Sequence, residues 1–272
     1  MVATRSKNLR SGDFAEELGL LLIRQFALIT PVPRTEDVGI DAVVTLVKNF
    51  NGYSILAEDN FFLQIKSANN ESIEYVEHQV NWLYELELPF FVAIVDRKKS
   101  SIKLFCAHRL SNAFITNHKR KKLVLHFKKD LMANELVDKD DENIYLGCPV
   151  LEWSIDTIEE DVSFKDTFYQ VIKEHVNLYK KNLQSQKVGL IDLIHWKTNT
   201  LPKKFGEASA FSRGYAEHLE LAEKSLEPYL GNWIRMMQLE NKFSPMAESV
   251  LSLMNKVRKT ISLLEQQKSN DK

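Results

Sequence analysis

Two short segments decide how this chain reads: Val38-Gly-Ile-Asp-Ala-Val-Val-Thr45 and Phe61-Phe-Leu-Gln-Ile-Lys-Ser67. Both have the apolar, β-branched character of core strands, yet they carry Asp41, Gln64 and Lys66. A buried strand has no packing use for such side chains, because each must find a partner or lose several kcal/mol on desolvation. Side chains alternate along a strand, so Gln64 and Lys66 share one face while Ile65 takes the other. Asp41 opens its strand two residues after Gly39, where glycine lets the backbone bend sharply. If the two strands pair, the polar groups converge at one end of a sheet, where a metal ion and a phosphate would supply their partners.

Working outward, Ser11-Gly-Asp13 reads as a helix cap, followed by Phe14, Leu18, Leu21, Leu22 and Phe26 at helical spacing. That first helix should end before Pro31 and Pro33. Strands are expected over residues 40–47 and 61–67, with a turn near 49–52 and room for a further strand between them. Residues 73–88 place Val76, Val80, Leu83 and Tyr84 on one face and stop at Pro89, which predicts a helix. The apolar run Phe90-Phe-Val-Ala-Ile-Val95 is of strand length, and strands over 102–106 and 123–127 flank a short helix over 109–116. Helix, three strands, helix and two strands make an α/β (α+β) core with a mixed central sheet flanked by helices. Beyond it, residues 164–183, 208–226 and 246–264 carry apolar positions three and four apart, so the chain divides into a domain of residues 1–158 and an all-α accessory domain of residues 159–272.

Composition narrows the function. With 272 residues, of which 44% are hydrophobic, the chain builds a substantial core. A formal charge of -1 removes the argument from a globally basic chain, so nucleic acid would have to meet local patches. The densest of these is Lys119-Arg-Lys-Lys122 with Lys128 and Lys129, which reads either as a solvated charge run or as a backbone-contacting patch. Cys106 and Cys148 form no CxxC pair, and Cys106 reads as a small apolar residue of a strand. The seven histidines have no metal-site spacing. The run Leu18-Gly-Leu-Leu-Leu-Ile23 is too short to cross a bilayer, and the N-terminus does not read as a signal peptide; a cytoplasmic protein with no membrane contact is expected.

The chemistry these residue types suit is metal-assisted phosphodiester hydrolysis. Oxygen donors from Asp41, Glu16 on the first helix, the Gln64 side chain and the backbone carbonyl of Ile65 suit Mg²⁺ or Mn²⁺. Lys66 would orient or help deprotonate a bound water, or stabilise charge on the phosphate. Glu17 competes with Glu16 as the helix acid, Asp37 reads as a loop or cap residue, and His78 and Gln79 lie on the following helix within reach of a substrate phosphate or in solvent. Trp196, Trp233, Met236 and Met237 read as helix core.

Gly12-Asp-Phe-Ala-Glu16, Glu36-Asp-Val-Gly-Ile-Asp41 and Gln64-Ile-Lys66 resemble the motifs of the PD-(D/E)XK nuclease superfamily, which includes restriction endonucleases and archaeal Holliday-junction resolvases. Within it the likeness is to the domain-of-unknown-function family numbered 4365, continued here in Gln64-Ile-Lys-Ser67, Trp82-Leu-Tyr84, Pro89 and Phe91-Val-Ala-Ile-Val-Asp96. The resemblance covers roughly residues 10–130. It implies a restriction endonuclease-like fold, with Asp41 as the central metal-binding acid, Lys66 as the catalytic lysine and Glu16 as the helix acid. It also implies action on nucleic acid, DNA before RNA, and a role in defence against foreign DNA. Gln64 departs from the superfamily's usual Asp or Glu and removes a negative charge from the site. Two other functions compete: a nuclease-fold module that binds nucleic acid without cutting it, and a scaffold whose helical half dimerises or docks a protein partner.

Overall fold

The computed structural model describes residues 7–33, 39–50, 54–127 and 136–210, together with isolated helical positions between 217 and 263. In chain order the elements are α1 (Lys7–Arg24), β1 (Ala27–Pro31), β2 (Ala42–Phe50), β3 (Ser54–Ser67), β4 (Ser72–Val76), α2 (His78–Glu85), β5 (Phe90–Asp96) and β6 (Ser101–Cys106). They continue with α3 (Arg109–Thr116), β7 (Lys122–His126), β8 (Asn143–Tyr145), β9 (Leu151–Ser154), α4 (Ile155–Glu160), α5 (Phe164–Ser185), β10 (Leu190–His195) and β11 (Lys203–Ser209).

β1, β2 and β3 form an antiparallel meander, each strand pairing with the next in sequence. β5 then lies parallel to β3, which requires a crossover, and β4 and α2 supply it. β6 and β9 add antiparallel strands, completing the six-stranded order β1-β2-β3-β5-β6-β9. The architecture is therefore a mixed sheet flanked by helices, as the sequence predicts.

The pleat sorts the two layers. Ile65 and Val95 press on α1 at Gly19, where an added Cβ would come within 3.1 Å of Ile65 and 3.0 Å of Val95. On this same side Phe26 stacks on Phe168 of α5 at 4.8 Å and meets Trp153 of β9 edge-on at 6.0 Å. The opposite side, which takes Gln64, Lys66 and Phe90, is covered by α2 through Trp82 and by the three-stranded sheet β4-β7-β8. Buried apolar residues of α1, the central sheet and α5 belong to one cluster, each large one contributing about 1.5–3 kcal/mol.

The differences from the sequence reading have local causes. α1 already begins at Lys7, so Ser11 and Asp13 are interior to it and not its cap. Residues 72–76 form a strand, not the start of a helix: Ile73, Tyr75 and their neighbours pair with β7, and α2 begins only after Glu77, whose φ is 47°. β1 pairs with β2 across residues that the sequence leaves as a helix end and loop.

The segment expected as an all-α domain is helical over α5, but residues 190–209 form the antiparallel hairpin β10-β11. Asn182 of α5 holds this hairpin by imitating a backbone edge, donating to the Asp192 carbonyl at 2.9 Å and accepting from the Asp192 N–H at 2.8 Å. Trp196 is buried just after β10, outside any helix. The expected helices over 208–226 and 246–264 fall mostly outside the described residues, as do Trp233, Met236 and Met237. No helix among the described residues is long and apolar enough to cross a membrane.

Candidate functional site

The quoted segments meet at one edge of β3. Gly39, at φ 82°, turns the chain into β2, and an added Cβ there would stand 3.5 Å from Trp82. The Asp41 N–H then donates to the Leu63 carbonyl at 2.8 Å, and the Asp41 carbonyl accepts from Val32 N–H at 2.9 Å. The regular β2-β3 pairing stops at Ala42 opposite Leu63. The next outward-pointing amide of β3, that of Ile65, has no strand to pair with on this side among the described residues, and it donates to Asp41 Oδ2 at 2.5 Å.

Within a strand the C=O of a residue points to the same edge as its N–H in an antiparallel pairing. The Ile65 carbonyl therefore points past the last rung, beside the Asp41 carboxylate. A hard cation looks for this donor pair, and the residues present fit Mg²⁺ or Mn²⁺ to that extent.

Gln64 and Lys66 occupy the other face of β3. Gln64 is buried, and its Oε1 accepts from the Tyr75 hydroxyl of β4 at 2.6 Å. Burial, and after it the Asp41 carboxylate, push the Tyr75 hydroxyl well above its ordinary value, so it stays a neutral donor. The amide oxygen expected to face a metal is thus already engaged by one hydrogen bond, although a carbonyl oxygen has a second lone pair. Lys66 is half-buried.

Glu16 arrives from the opposite layer. α1 leads into β1 at the start of β3 and packs Gly19 on Ile65, so it runs antiparallel to β3. One turn before Gly19, about 4.5 Å along the axis, Glu16 comes level with the C-terminal end of β3 but on the Ile65 side. Glu16 is half-buried, whereas Glu17 is exposed. The structure joins Asp41 to the Ile65 backbone, bonds Gln64 to Tyr75, places Lys66 two residues further along the same face of β3, and carries Glu16 on α1 in the opposite layer. Asp37 lies outside the described residues.

The basic cluster is less available than its composition suggests. Arg120 is buried and donates to the carbonyls of Ala113 at 3.1 Å, Asp138 at 2.6 Å and Asp141, so it ties α3 to the following loop and is not aimed at a ligand. Lys122 lies between Glu74 and Glu142 at 3.5 and 3.6 Å. Lys119 and Lys121 are exposed, and Lys128 and Lys129 lie outside the described residues. His78 and Gln79 are both exposed, with Gln79 Oε1 accepting from the Val76 N–H at 3.1 Å.

A second constellation was missed in the sequence. Cys106 closes β6, His108 leads into α3 and His175 lies mid-way along α5, all three buried. One ligand atom from each lies within 4.8 Å of the others, so this cluster could hold a metal ion. His108 Nε2 and His175 Nδ1 are 2.8 Å apart. Burial pushes the His108 imidazole down to about 3, pushes His175 down as well, and pushes the Cys106 thiol up. The available signal was Cys106-Ala-His108 at a strand-to-helix junction, together with a histidine on the apolar face of α5 between Ile172 and Val176.

No family model, no curated protein and no solved structure matches this chain.

Proposed function

We propose that this chain is a metal-dependent nuclease of the PD-(D/E)XK kind, hydrolysing phosphodiester bonds of DNA with Mg²⁺ or Mn²⁺. The observation that carries the reading is the Asp41 carboxylate fastened to the Ile65 amide, which registers the GxD segment on the QxK strand. Asp41 and the Ile65 carbonyl would hold the ion, with Glu16 approaching from α1. When bound, such an ion supplies an activated water and screens the phosphate charge. Lys66 stabilises the negative charge that grows on the phosphate oxygens in the transition state. Tyr75 fixes the amide of Gln64 and so the polarity of the wall between Asp41 and Lys66. A role in defence against foreign DNA is the context this chemistry suits.

The decisive experiment follows DNA cleavage in Mg²⁺ or Mn²⁺ for the native chain, Asp41→Asn and Lys66→Met. Asp41→Asn keeps an acceptor for the Ile65 amide while removing the charge, so a folded, inactive variant is the expected result. Cleavage untouched by both substitutions overturns the assignment.

The bond between Tyr75 and Gln64 favours a second reading, a nuclease-fold module that binds nucleic acid without cutting it, since neutral Gln64 is already engaged. That reading predicts salt-sensitive binding with no metal-dependent turnover, and cleavage on Gln64→Glu would mark how little separates the two.

A further inference from the structure

We propose that Cys106, His108 and His175 hold one structural Zn²⁺ ion that clamps α5 to the β6-α3 junction. The donor set is two imidazoles and a thiol, which suits zinc and not the hard cation expected at Asp41. The three side chains come from three elements and converge in a dry part of the core: Cys106 is 1% exposed, His108 3% and His175 0%.

Hydrogen bonding accounts for them only in part, through the His108 backbone amide at the Cys106 sulfur and one contact between the rings. The contact between the rings engages one nitrogen of each, while among the described residues His108 Nδ1 and His175 Nε2 are buried with no hydrogen-bond partner. Two imidazoles with only each other to bond are a costly content for a hydrophobic core, and apolar residues of similar volume would pack there without that loss. Ligation gives the three donors a common purpose.

The surroundings fit a closed site. The ring of Trp196 stands 5.4 Å from His108 and 5.6 Å from His175, and Tyr179 lies 5.0 Å from His108, so aromatic walls exclude water. Three protein ligands leave one position of a tetrahedron, on a site that Tyr179 borders. On binding, the Cys106 thiol proton leaves to solvent, and the proton between the rings moves to an outer nitrogen so that both inner nitrogens present lone pairs. The ion then links the sheet, α3 and α5 at one point, and Trp196 extends the link to the segment after β10. Metal binding here is part of folding, not of catalysis.

The test uses the full chain, purified without a metal-affinity tag or chelator. Elemental analysis should find one zinc per chain, and strong chelator should remove it with a fall in melting temperature. Replacement by Co²⁺ should give a thiolate-to-cobalt charge-transfer band, a signature that an oxygen site at Asp41 does not produce. Cys106→Ser should lose that band and Cys148→Ser should keep it. If Cys106→Ser fails to fold, the zinc content and cobalt spectrum of the native chain still decide. A native chain that neither retains zinc nor takes up Zn²⁺ or Co²⁺ on refolding, with unchanged melting, overturns the proposal, as does a charge-transfer band that survives Cys106→Ser.

Discussion

The edge of β3 and the cluster around His175 are opposite ways of assembling reactive groups. At the edge, Asp41, Gln64 and Lys66 come from two adjacent strands of one meander, and the donors are hard oxygens where the β2-β3 ladder runs out. In the cluster, Cys106 and His108 meet a histidine 67 residues further along, in a place no solvent reaches, and the donors are nitrogen and sulfur. The first is built by strand register at the last rung of the β2-β3 ladder, with Asp41 and Lys66 half-buried. The second is built by packing a helix on a sheet and is closed, as a structural tie demands.

The sharpest way to break this contrast is to remove the edge chemistry alone. Asp41→Asn or Lys66→Met should lower metal-dependent DNA cleavage by about 10²–10³-fold or more, while thermal unfolding changes little. A variant that loses activity only in proportion to lost folded protein would mean that the edge is structural. Gly19→Ala comes next: its Cβ would stand 3.0–3.2 Å from Val95 and Ile65, so overpacking should cost about 1–3 kcal/mol in denaturant unfolding. The disturbance falls beneath β3 at the edge, and zinc content should stay unchanged.

Tyr75→Phe removes the donor that engages Gln64 and leaves a buried amide oxygen unsatisfied, at a cost of about 1–3 kcal/mol. In an active nuclease it should also change the apparent affinity for Mg²⁺, read as a shifted cleavage-against-metal curve. An unmoved curve would confine Tyr75 and Gln64 to a structural role.

The smallest effect concerns how α5 is kept in place to deliver His175. Lys173 and Lys180 of α5 pair with Glu58 and Asp59 of β3, the latter at 2.5 Å. The Lys173 ammonium, and after it the Tyr169 hydroxyl, hold the Glu58 carboxyl below its ordinary 4.5. Because the folded value is depressed, this stabilisation is complete above pH 4.5 and is lost as pH falls through the lower value. Glu58→Gln should therefore cost under about 1 kcal/mol at neutral pH and flatten the acid limb of stability against pH below 4.5, measured by urea unfolding.

The parts of the fold that were legible share one property: their signals are local. The strands around Asp41 and Lys66, the apolar strand β5 and the short helix α3 announce themselves through apolar runs and breakers within a few residues. Residues 73–76 read as the start of a helix because Val76 and Val80 satisfy a helical spacing, and the partner that makes them a strand, β7, lies some fifty residues away. The hairpin β10-β11 was missed for a related reason, since its hold on α5 runs through Asn182, a residue with no strand signature. At the edge of β3 the polar residues are legible along the chain as exceptions in apolar strands, but the engagement of Gln64 by Tyr75 and the placement of α1 on the Ile65 side depend on layers that no spacing encodes.

The sequence by itself determined which residues could not be ordinary core: Asp41, Gln64 and Lys66 stand in apolar strands, where desolvation makes every polar group answerable to a partner. Tertiary structure alone decided who those partners are. It set Asp41 against the Ile65 amide because β2 begins only one residue later, and gave Gln64 to Tyr75 because β4 covers that face. By laying α5 across the sheet it also joined Cys106 and His108 to His175, a contact fixed by packing between distant elements and therefore invisible along the chain.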